Sequence, residues 1–323
     1  MVAKTALVLV LSAACIAADA AAAGQLGDFP VRPMRIIVPF PAGDSVDMVT
    51  RIIGHELAEA AGQQVVVENR PGALGSIGTE LVARATADGH TLLMANNPLV
   101  VRPALFDKLP FNVLRDFTPV SLVAAVPFVL VLHPSVPAVS VQKLIAYAKA
   151  RPGELNYASS RRGSNLHVAA ELFKSFAGIN IVRVPYRGGG PALMALVRGE
   201  AQVGFLAVVA VSAHVRAGRM RALGVTSAER SVALPGVPTF AEAGVPGYEF
   251  SSWYGVLAPA ETPAHRVAAL NGHLRNAAYQ SDVADRLSRQ GAEIIISSPE
   301  EFARHLRAEI VNWEKLVAES GLR

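Results

Sequence analysis

Two loops of similar composition could bind an anion through backbone groups alone. The first lies in MRIIVPFPAGD (34–44) and the second in NIVRVPYRGGG (180–190); in each, an apolar run ends in Val-Pro-aromatic and glycine before a helical pattern. The first turn of a helix presents unpaired N–H groups and about half a positive charge. Open α/β sheets also bind ligands at the carboxyl ends of their strands. The match therefore predicts one anion site built from both loops.

Glycine gives both loops the freedom that such a site needs. The glycines at 188–190 permit close backbone approach or positive φ, and Pro191 suits the first helical position. In the first loop Gly43 could do the same, with Ser45 as the helix cap and Asp47 in the first turn. An ordinary strand-to-helix turn explains either loop alone, whereas the pair favours a shared site. The phosphate-binding motifs G-x-x-x-x-G-K-[ST] and G-x-G-x-x-G are absent.

Other kinds of chemistry receive less support. An exported serine-type hydrolase using Ser45 or Ser164 would need a base beside the nucleophile, and the sequence has no G-x-S-x-G or H-E-x-x-H motif. The histidines lack metal-ligand spacing, so we expect neither a metal nor a cofactor. The net charge is only +4 and the arginines are scattered, which argues against nucleic-acid binding. We therefore expect a binding protein and not an enzyme.

The N-terminus has the pattern of a cleaved signal peptide over residues 1–23. Lys4 precedes the apolar run 5–17, and four alanines end at Ala23. A membrane anchor would need about 20 apolar residues, and a lipoprotein using Cys15 is a second alternative. We expect an exported protein whose mature chain contains no cysteine.

Apolar runs alternate with helical patterns along the rest of the chain, which predicts an α/β fold. We expect two Rossmann-like α/β lobes joined by two crossover strands, near 126–133 and 248–257. Lobe one would comprise 24–132 plus 249–323, and lobe two 133–248. Three independent small domains are the alternative, although no long linker separates them.

Five segments together resemble the Bug family, the periplasmic solute receptors of tripartite tricarboxylate transporters. They are VPFPAGDSVDMVTRIIGHEL, VVVENRPGALGSIGTELVARATADGHTLL, NYASSRRGSNLHVAAELF, VPYRGGGPALMALVRGEAQVGF and LPGVPTFAEAGVPGYEFSSWYGVLAPAETP. The resemblance implies an extracytoplasmic protein, located in the periplasm, with a two-lobed, periplasmic-binding-protein-like fold. Such a protein holds a small carboxylate between the loops at 40–47 and 186–192, largely through backbone N–H groups and ordered water. It also implies delivery to separate membrane permease subunits. We expect a monomer, and a ligand sensor without transport is an alternative function.

The resemblance also implies which residues contact the ligand. Those from lobe one are Phe40, Ala42, Gly43, Ser45, Asp47 and Asn97. Those from lobe two are Ser159, Ser164, His167, Tyr186, Gly188, Gly189, Gly190 and Ala192.

Two sites depart from the family pattern and bear on the ligand. Asp44 stands where a second glycine is usual, and its carboxylate could cap the helix, pair with an arginine, or meet an amine or hydroxyl of the ligand. Arg161 and Arg162 replace residues that are often small. A bidentate clamp by Arg161 on a second carboxylate would favour a dicarboxylate or an aromatic acid, and a solvent-facing arginine pair is the alternative.

Overall fold

The structure is a computed structural model that describes residues 29–106, 108–280, 282–289 and 291–320. The predicted signal peptide lies outside these residues. The segment before the long central strand forms three strands, β1 (Met34–Val38), β2 (Val65–Asn69) and β3 (Thr91–Asn96). Its α-helices are α1 (Ser45–Ala61), α2 (Ser76–Ala83) and α3 (Pro98–Leu105), and a 3-10 turn at Ala73–Gly75 precedes α2.

The central strand and the segment that follows it continue the alternation. The central strand is β4 (Phe117–Leu132). The next elements are α4 (Val141–Ala150), β5 (Asn156–Ser159), α5 (Asn165–Ala177), β6 (Val182–Pro185), α6 (Gly189–Val197), β7 (Val203–Ala207), α7 (Val208–Arg216) and β8 (Arg221–Val225). The last are β9 (Ser251–Pro259), α8 (Ala264–Ala278), α9 (Val283–Arg289), β10 (Glu293–Ile294) and α10 (Pro299–Ser320).

The strands form one connected sheet that β4 divides into two lobes. The order is β2-β1-β3-β9-β4-β7-β5-β6, and β8 and β10 also pair with β4. Along β4, residues Phe117–Pro127 pair with β9, and Phe128–Leu132 pair with β7. We call the β2-β1-β3-β9 side the first lobe and the β7-β5-β6 side the second lobe. A connected sheet excludes the alternative of three independent domains within the described residues.

The α/β and two-lobed predictions are confirmed in this topology. β1 pairs in parallel with β2 and β3, as the predicted βαβαβ pattern requires. β9 and β10, from the C-terminal segment, return to the first lobe. The change of partner along β4 falls within the predicted first crossover, and the predicted second crossover includes the start of β9. The residue limits of the two lobes remain a prediction.

Helices cover both faces of the sheet. Successive residues of a strand point to opposite faces, so neighbouring residues of one strand pack against different helices. On β1, Ile36 packs in a core with α1, α8 and α9, whereas Ile37 belongs to a core that includes α3 and α10. In α1 the buried residues recur at helical spacing, and the helix ends at Gly62 in the left-handed conformation, as the sequence indicated.

Two helices and part of β4 were not predicted. The run from Pro98 forms α3 although Pro103 lies inside it, because nearly all of its residues are buried. The helix α7 directly follows β7, in a segment to which the sequence patterns assigned no element. β4 also begins at Phe117, well before the crossover strand that was predicted near 126–133.

Candidate functional site

A cavity of about 710 Å³ lies between the two lobes. Its first-lobe wall comes from the loops that follow β1, β2 and β3, and its second-lobe wall from the loops that follow β5, β6 and β7. These are carboxyl ends of strands, which is where α/β sheets place ligands. Apolar side chains complete the walls: Phe40, Met48, Phe128, Leu166, Leu193, Leu206 and Val209. The cavity can therefore enclose a small molecule with an apolar body.

Asp44 caps the first helix of the cleft. Its backbone is extended and its carboxylate accepts hydrogen bonds from Val46 N at 3.4 Å and from Ser45 Oγ at 3.1 Å. Among the alternatives for Asp44, capping is the one that the structure shows, and the expectation that Ser45 is the cap is wrong. A carboxylate accepts the orphan N–H groups of a first turn more strongly than a hydroxyl does. Asp44 still borders the cavity and is exposed.

Asp47 fixes the first loop from behind. Its carboxylate accepts a hydrogen bond from Gly43 N at 2.9 Å, from Arg51 Nε at 3.0 Å and from Asn69 Nδ2 at 2.9 Å. Asn69 also donates to the Phe40 carbonyl at 3.1 Å. Burial opposes ionisation, but the bonds from Arg51, Gly43 and Asn69 outweigh it and lower the pKa of Asp47 below its usual value. Asp47 is 3% exposed and does not line the cavity, so its role in the structure is to hold the loop.

Gly43 is a glycine that the backbone requires. Its φ is +81°, in the left-handed region, where other residues are strained. Ser45, two positions on, accepts a hydrogen bond from the buried Tyr254 hydroxyl at 3.0 Å. Because Tyr254 lies in β9, this bond ties the start of α1 to the strand that pairs with both β3 and β4.

The second glycine loop is different, because the backbone does not require its glycines. Gly188 has φ 167°, which is extended backbone that any residue adopts, and neither Gly189 nor Gly190 has a positive φ. A Cβ atom at Gly189 or Gly190 would meet no heavy atom within 4 Å. No side chain of the described residues caps the α6 N-terminus. The loop thus presents bare backbone at a helix N-terminus to the cavity, and of the two reasons expected for these glycines, close approach is the one that fits.

A third loop, 160–164, completes the second-lobe wall. Gly163 N donates to His167 Nδ1 at 3.0 Å, and the Ser164 hydroxyl caps α5 by accepting from His167 N at 3.4 Å. Burial, followed by the charge of Arg183, lowers the pKa of His167 to about 4, so the imidazole is neutral at pH 7. An unprotonated Nδ1 is also what the bond from Gly163 requires. His167 therefore holds this loop as Asp47 holds the first.

Within the part of the chain that the structure describes, neither candidate nucleophile has the hydrogen-bond partners of a hydrolase serine. Ser45 Oγ donates to Asp44 and accepts from Tyr254, and Ser164 Oγ accepts a backbone N–H. The His167 imidazole nitrogen nearest this loop is already occupied by Gly163. A serine nucleophile needs an imidazole or another base at hydrogen-bonding distance.

Three arginines and one aspartate give the cavity a positive balance. Arg161 and Arg187 are exposed on its second-lobe side, Asp44 lies on the first-lobe side, and Arg102 of α3 is 2% exposed. Burial lowers the pKa of Arg102 to about 10, which leaves it protonated at neutral pH. Sequence reasoning missed Arg102 as a site residue. The available signal was a single charge inside the apolar run NPLVVRPAL, directly after a strand.

The structure brings together part of the predicted ligand set. The predicted residues that line the cavity are Phe40, Gly43, Asp44, Ser45, Arg161, Ser164, Gly188, Gly189 and Gly190. Those that do not line it are Ala42, Asp47, Asn97, Ser159, His167, Tyr186 and Ala192. Asn97 instead contacts β9: its Nδ2 donates to Ser251 O and its Oδ1 accepts from Trp253 N, both at 3.0 Å. Lining residues that the sequence did not single out include Ser160, Asn165 and Arg187.

A second cavity, of about 830 Å³, is lined by residues of β4, β9, α10 and the segment that follows β8. Glutamates dominate the charge of its wall: Glu229, Glu249, Glu293 and Glu309, against Lys315 and His305. Like charges repel an anion, so this cavity does not suit a carboxylate.

The described residues offer neither a metal site nor a membrane-spanning helix. They contain no group of three or more His, Cys, Asp or Glu residues placed to hold a metal ion. No helix in the same part of the chain is long and apolar enough to cross a membrane.

Solved structures similar to this chain include carboxylate complexes. R. palustris Rpa4515 with adipate has a TM-score of 0.82 at 39% identity, covering 91% of this chain and 99% of that one. MatC (Rpa3494) from Rhodopseudomonas palustris with bound malate has a TM-score of 0.79 at 35% identity, covering 90% and 100%. The periplasmic binding protein BugD has a TM-score of 0.80 at 29% identity, with coverage of 91% and 99%.

Sequence relatives agree with the structural ones. Protein BugT of Bordetella pertussis (strain Tohama I) is 39% identical over 321 residues, which is 99% of this chain and 98% of BugT. The family model described as "Tripartite tricarboxylate transporter family receptor" matches residues 49–322. The chain therefore belongs to the TctC family of tripartite tricarboxylate transporter receptors, and its resemblance to Bug proteins is confirmed.

Proposed function

We propose that this protein is an extracytoplasmic solute-binding protein that captures a small carboxylate between its lobes and delivers it to separate membrane permease subunits. A dicarboxylate or an aromatic acid is favoured. Export through cleavage of residues 1–23 would place it in the periplasm as a monomer without catalytic activity.

The observation that carries the proposal is the bare helix N-terminus at 188–190, facing a positively charged cavity. Its glycines serve no conformational need, and they leave room for an anion to reach the N–H groups. The first loop lies on the opposite lobe and is held rigidly by Asp47 and Asn69. Preorganised donors lose little entropy on binding.

The apolar walls support an acid with a hydrocarbon body. The two relatives solved with adipate and with malate fit this class, because both compounds are small carboxylates. Binding requires that the ligand's carbon chain or ring displace water from apolar surface, which is favourable.

A thermal-shift screen tests the ligand class. The panel is mono-, di- and tricarboxylates, aromatic acids and amino acids. A ligand that binds only the folded protein stabilises it by roughly 2.7 kcal/mol at one hundred times its dissociation constant. A panel in which a neutral compound raises the melting temperature and no acid does would contradict the carboxylate proposal.

Gly189→Val tests the site itself. The added side chain meets no heavy atom within 4 Å at its Cβ, so the fold is expected to remain, but it covers the N–H groups that face the cavity. We expect loss of carboxylate binding by isothermal titration calorimetry with little change in melting temperature. Gly236→Val is the matched control, since Gly236 is an open, exposed position of the same lobe that does not line the cavity. Equal affinity in wild type and Gly189→Val would place the ligand elsewhere.

Delivery to a transporter needs a separate test. Uptake of the identified acid into vesicles that contain the permease subunits should require this protein. Ligand binding without any dependence of uptake on the protein would instead favour the ligand sensor. Turnover of a bound acid that disappears in Ser45→Ala, with binding retained, would favour the hydrolase.

A further inference from the structure

Arg102 lies in the first-lobe wall of the cavity, on α3 just after β3. Its guanidinium is packed closely: a Cβ atom on Gly75 would lie 2.9 Å from Arg102 Nη2. Gly75 has a φ of +90°, so the backbone at that point both requires glycine and leaves space for the guanidinium. Arg102 is therefore seated in a pocket of fixed shape.

The bonding capacity of this guanidinium is largely unused. It has five N–H donors, and the one side-chain hydrogen bond that it makes among the described residues is from Nη1 to Ser76 Oγ at 3.4 Å. The Nε atom is buried and has no partner in that part of the chain. None of the ion pairs among those residues involves Arg102, and burial alone shifts its pKa. A buried cation without a counter-charge is costly to the folded protein.

The second anion-binding feature lies on the opposite lobe. The bare N–H groups of α6 at 188–190 belong to the second lobe, whereas Arg102 belongs to the first, and both line the same cavity. A ligand with one acidic group can satisfy one of these features. A ligand with two acidic groups can satisfy both, and apolar side chains line the cavity as well.

We propose that Arg102 binds the second acidic group of a dianionic ligand whose first carboxylate lies at the N-terminus of α6. The assignment rests on the proposed function and narrows it from small carboxylates to diacids. It makes Arg102 the specificity-determining residue of the cleft, in place of the exposed Arg161. A buried guanidinium that has no ion-pair partner among the described residues is a preorganised site for a carboxylate, which it can bind with two parallel hydrogen bonds.

Calorimetric titrations of the wild-type protein provide the first test. Succinate, glutarate and adipate are each compared with their monoamides, which keep size and shape but lose one charge. We expect at least one diacid to bind roughly 30-fold more tightly than its monoamide, because a buried charge pair loses at least this much when one partner is neutralised. Equal binding of every diacid and its monoamide would overturn the assignment without any variant.

Arg102→Met provides the second test, because it keeps an apolar stem and removes the charge. We expect a loss of roughly 30-fold or more for the diacid and a change within about 3-fold for the monoamide. We also expect the ligand-free variant to melt at a higher temperature than wild type, since an uncompensated buried charge is gone. Arg219→Gln, an exposed arginine that does not line the cavity, is the control.

The outcomes separate this inference from the function on which it rests. Wild-type protein that binds monoacids and diacids equally overturns the Arg102 assignment and leaves carboxylate capture intact, whereas wild type that binds no acid overturns both. Arg102→Met that weakens diacid and monoamide alike, or that lowers the ligand-free melting temperature or fails to fold, shows that Arg102 has a structural role and overturns the assignment.

Discussion

Replacing Asp47 by alanine tests whether the first cleft loop is held by one buried carboxylate. The variant loses the bonds from Gly43 N, Arg51 and Asn69 together. A hydrogen bond to a charged group contributes about 1.5–3 kcal/mol, but the Arg51 side chain is 52% exposed and regains water when the partner is lost. We therefore expect the free energy of unfolding to fall by about 2–3 kcal/mol, less than the sum of the three bonds.

The same change should weaken the ligand site without touching the ligand. Asp47 does not line the cavity, yet it fixes Gly43, which does. We expect roughly tenfold weaker carboxylate binding, because ordering a freed loop on binding costs about 1 kcal/mol or more. Asp47→Asn should lie between wild type and Asp47→Ala, since an amide can accept one of the bonds but places its own N–H groups toward donors.

Urea unfolding followed by tryptophan fluorescence measures the stability term, and titration calorimetry measures the affinity term. Glu59→Ala is the matched control, an exposed acid on the same helix, and its effect should stay within about 0.5 kcal/mol. The pKa of Asp47 is lowered in the folded protein. Its stabilisation is therefore present above the unfolded carboxyl pKa of about 3.9 and is lost as pH falls through the folded value. Wild type and Asp47→Ala of equal stability at pH 7 would refute the argument.

Two further predictions concern positions away from the ligand. The pKa of His167 in the folded protein is about 4, below the usual 6.5, so the unfolded chain takes up the proton first as pH falls. The free energy of unfolding of wild type should therefore fall by roughly 3 kcal/mol relative to that of His167→Gln between pH 6.5 and 4. Unfolding measured across this range that gives parallel curves for the two proteins would contradict this prediction. Gly255→Ala should destabilise the fold by about 1–3 kcal/mol because its Cβ would lie 2.7 Å from Phe302 Cε1. Gly272→Ala should stabilise it by about 0.5–1 kcal/mol, because Gly272 lies inside α8 and has open space around it. Equal melting temperatures for the two variants would contradict the packing argument.

The sequence predicted most of the alternation because its local signals were consistent with the fold. Strands β1 and β3 are apolar runs, and helices α1 and α4 have apolar residues at helical spacing. Their boundaries are also clear, as at Gly62 after α1. Helix α3 was not predicted, because Pro103 lies inside it and its continuous apolar run has no helical periodicity. The run is apolar because the helix is buried on nearly all sides. Tertiary burial determines the conformation there, and no local propensity reports it.

The site was partly predictable for a related reason. The glycines of both loops could be recognised from the sequence alone. Gly43 has left-handed backbone, which favours glycine, and the glycines at 188–190 leave the backbone N–H groups uncovered. Which polar side chains face the cavity depends on rotation about each element, which spacing does not specify. The family resemblance placed Asp47 and His167 in the predicted ligand set, and that role stays a prediction, although in the structure both side chains bond behind the loops. Arg102 was missed although it lines the wall.

The position of β9 between β3 and β4 has a consequence for biosynthesis. Among the described residues, the strands of the second lobe all end by Val225, whereas the sheet of the first lobe is incomplete until Ser251–Pro259 has been made. Until then the facing edges of β3 and β4 lack the partner that pairs with both of them. Open edges pair readily with other chains, so a nascent or truncated chain that ends before Ser251 is the form most exposed to aggregation.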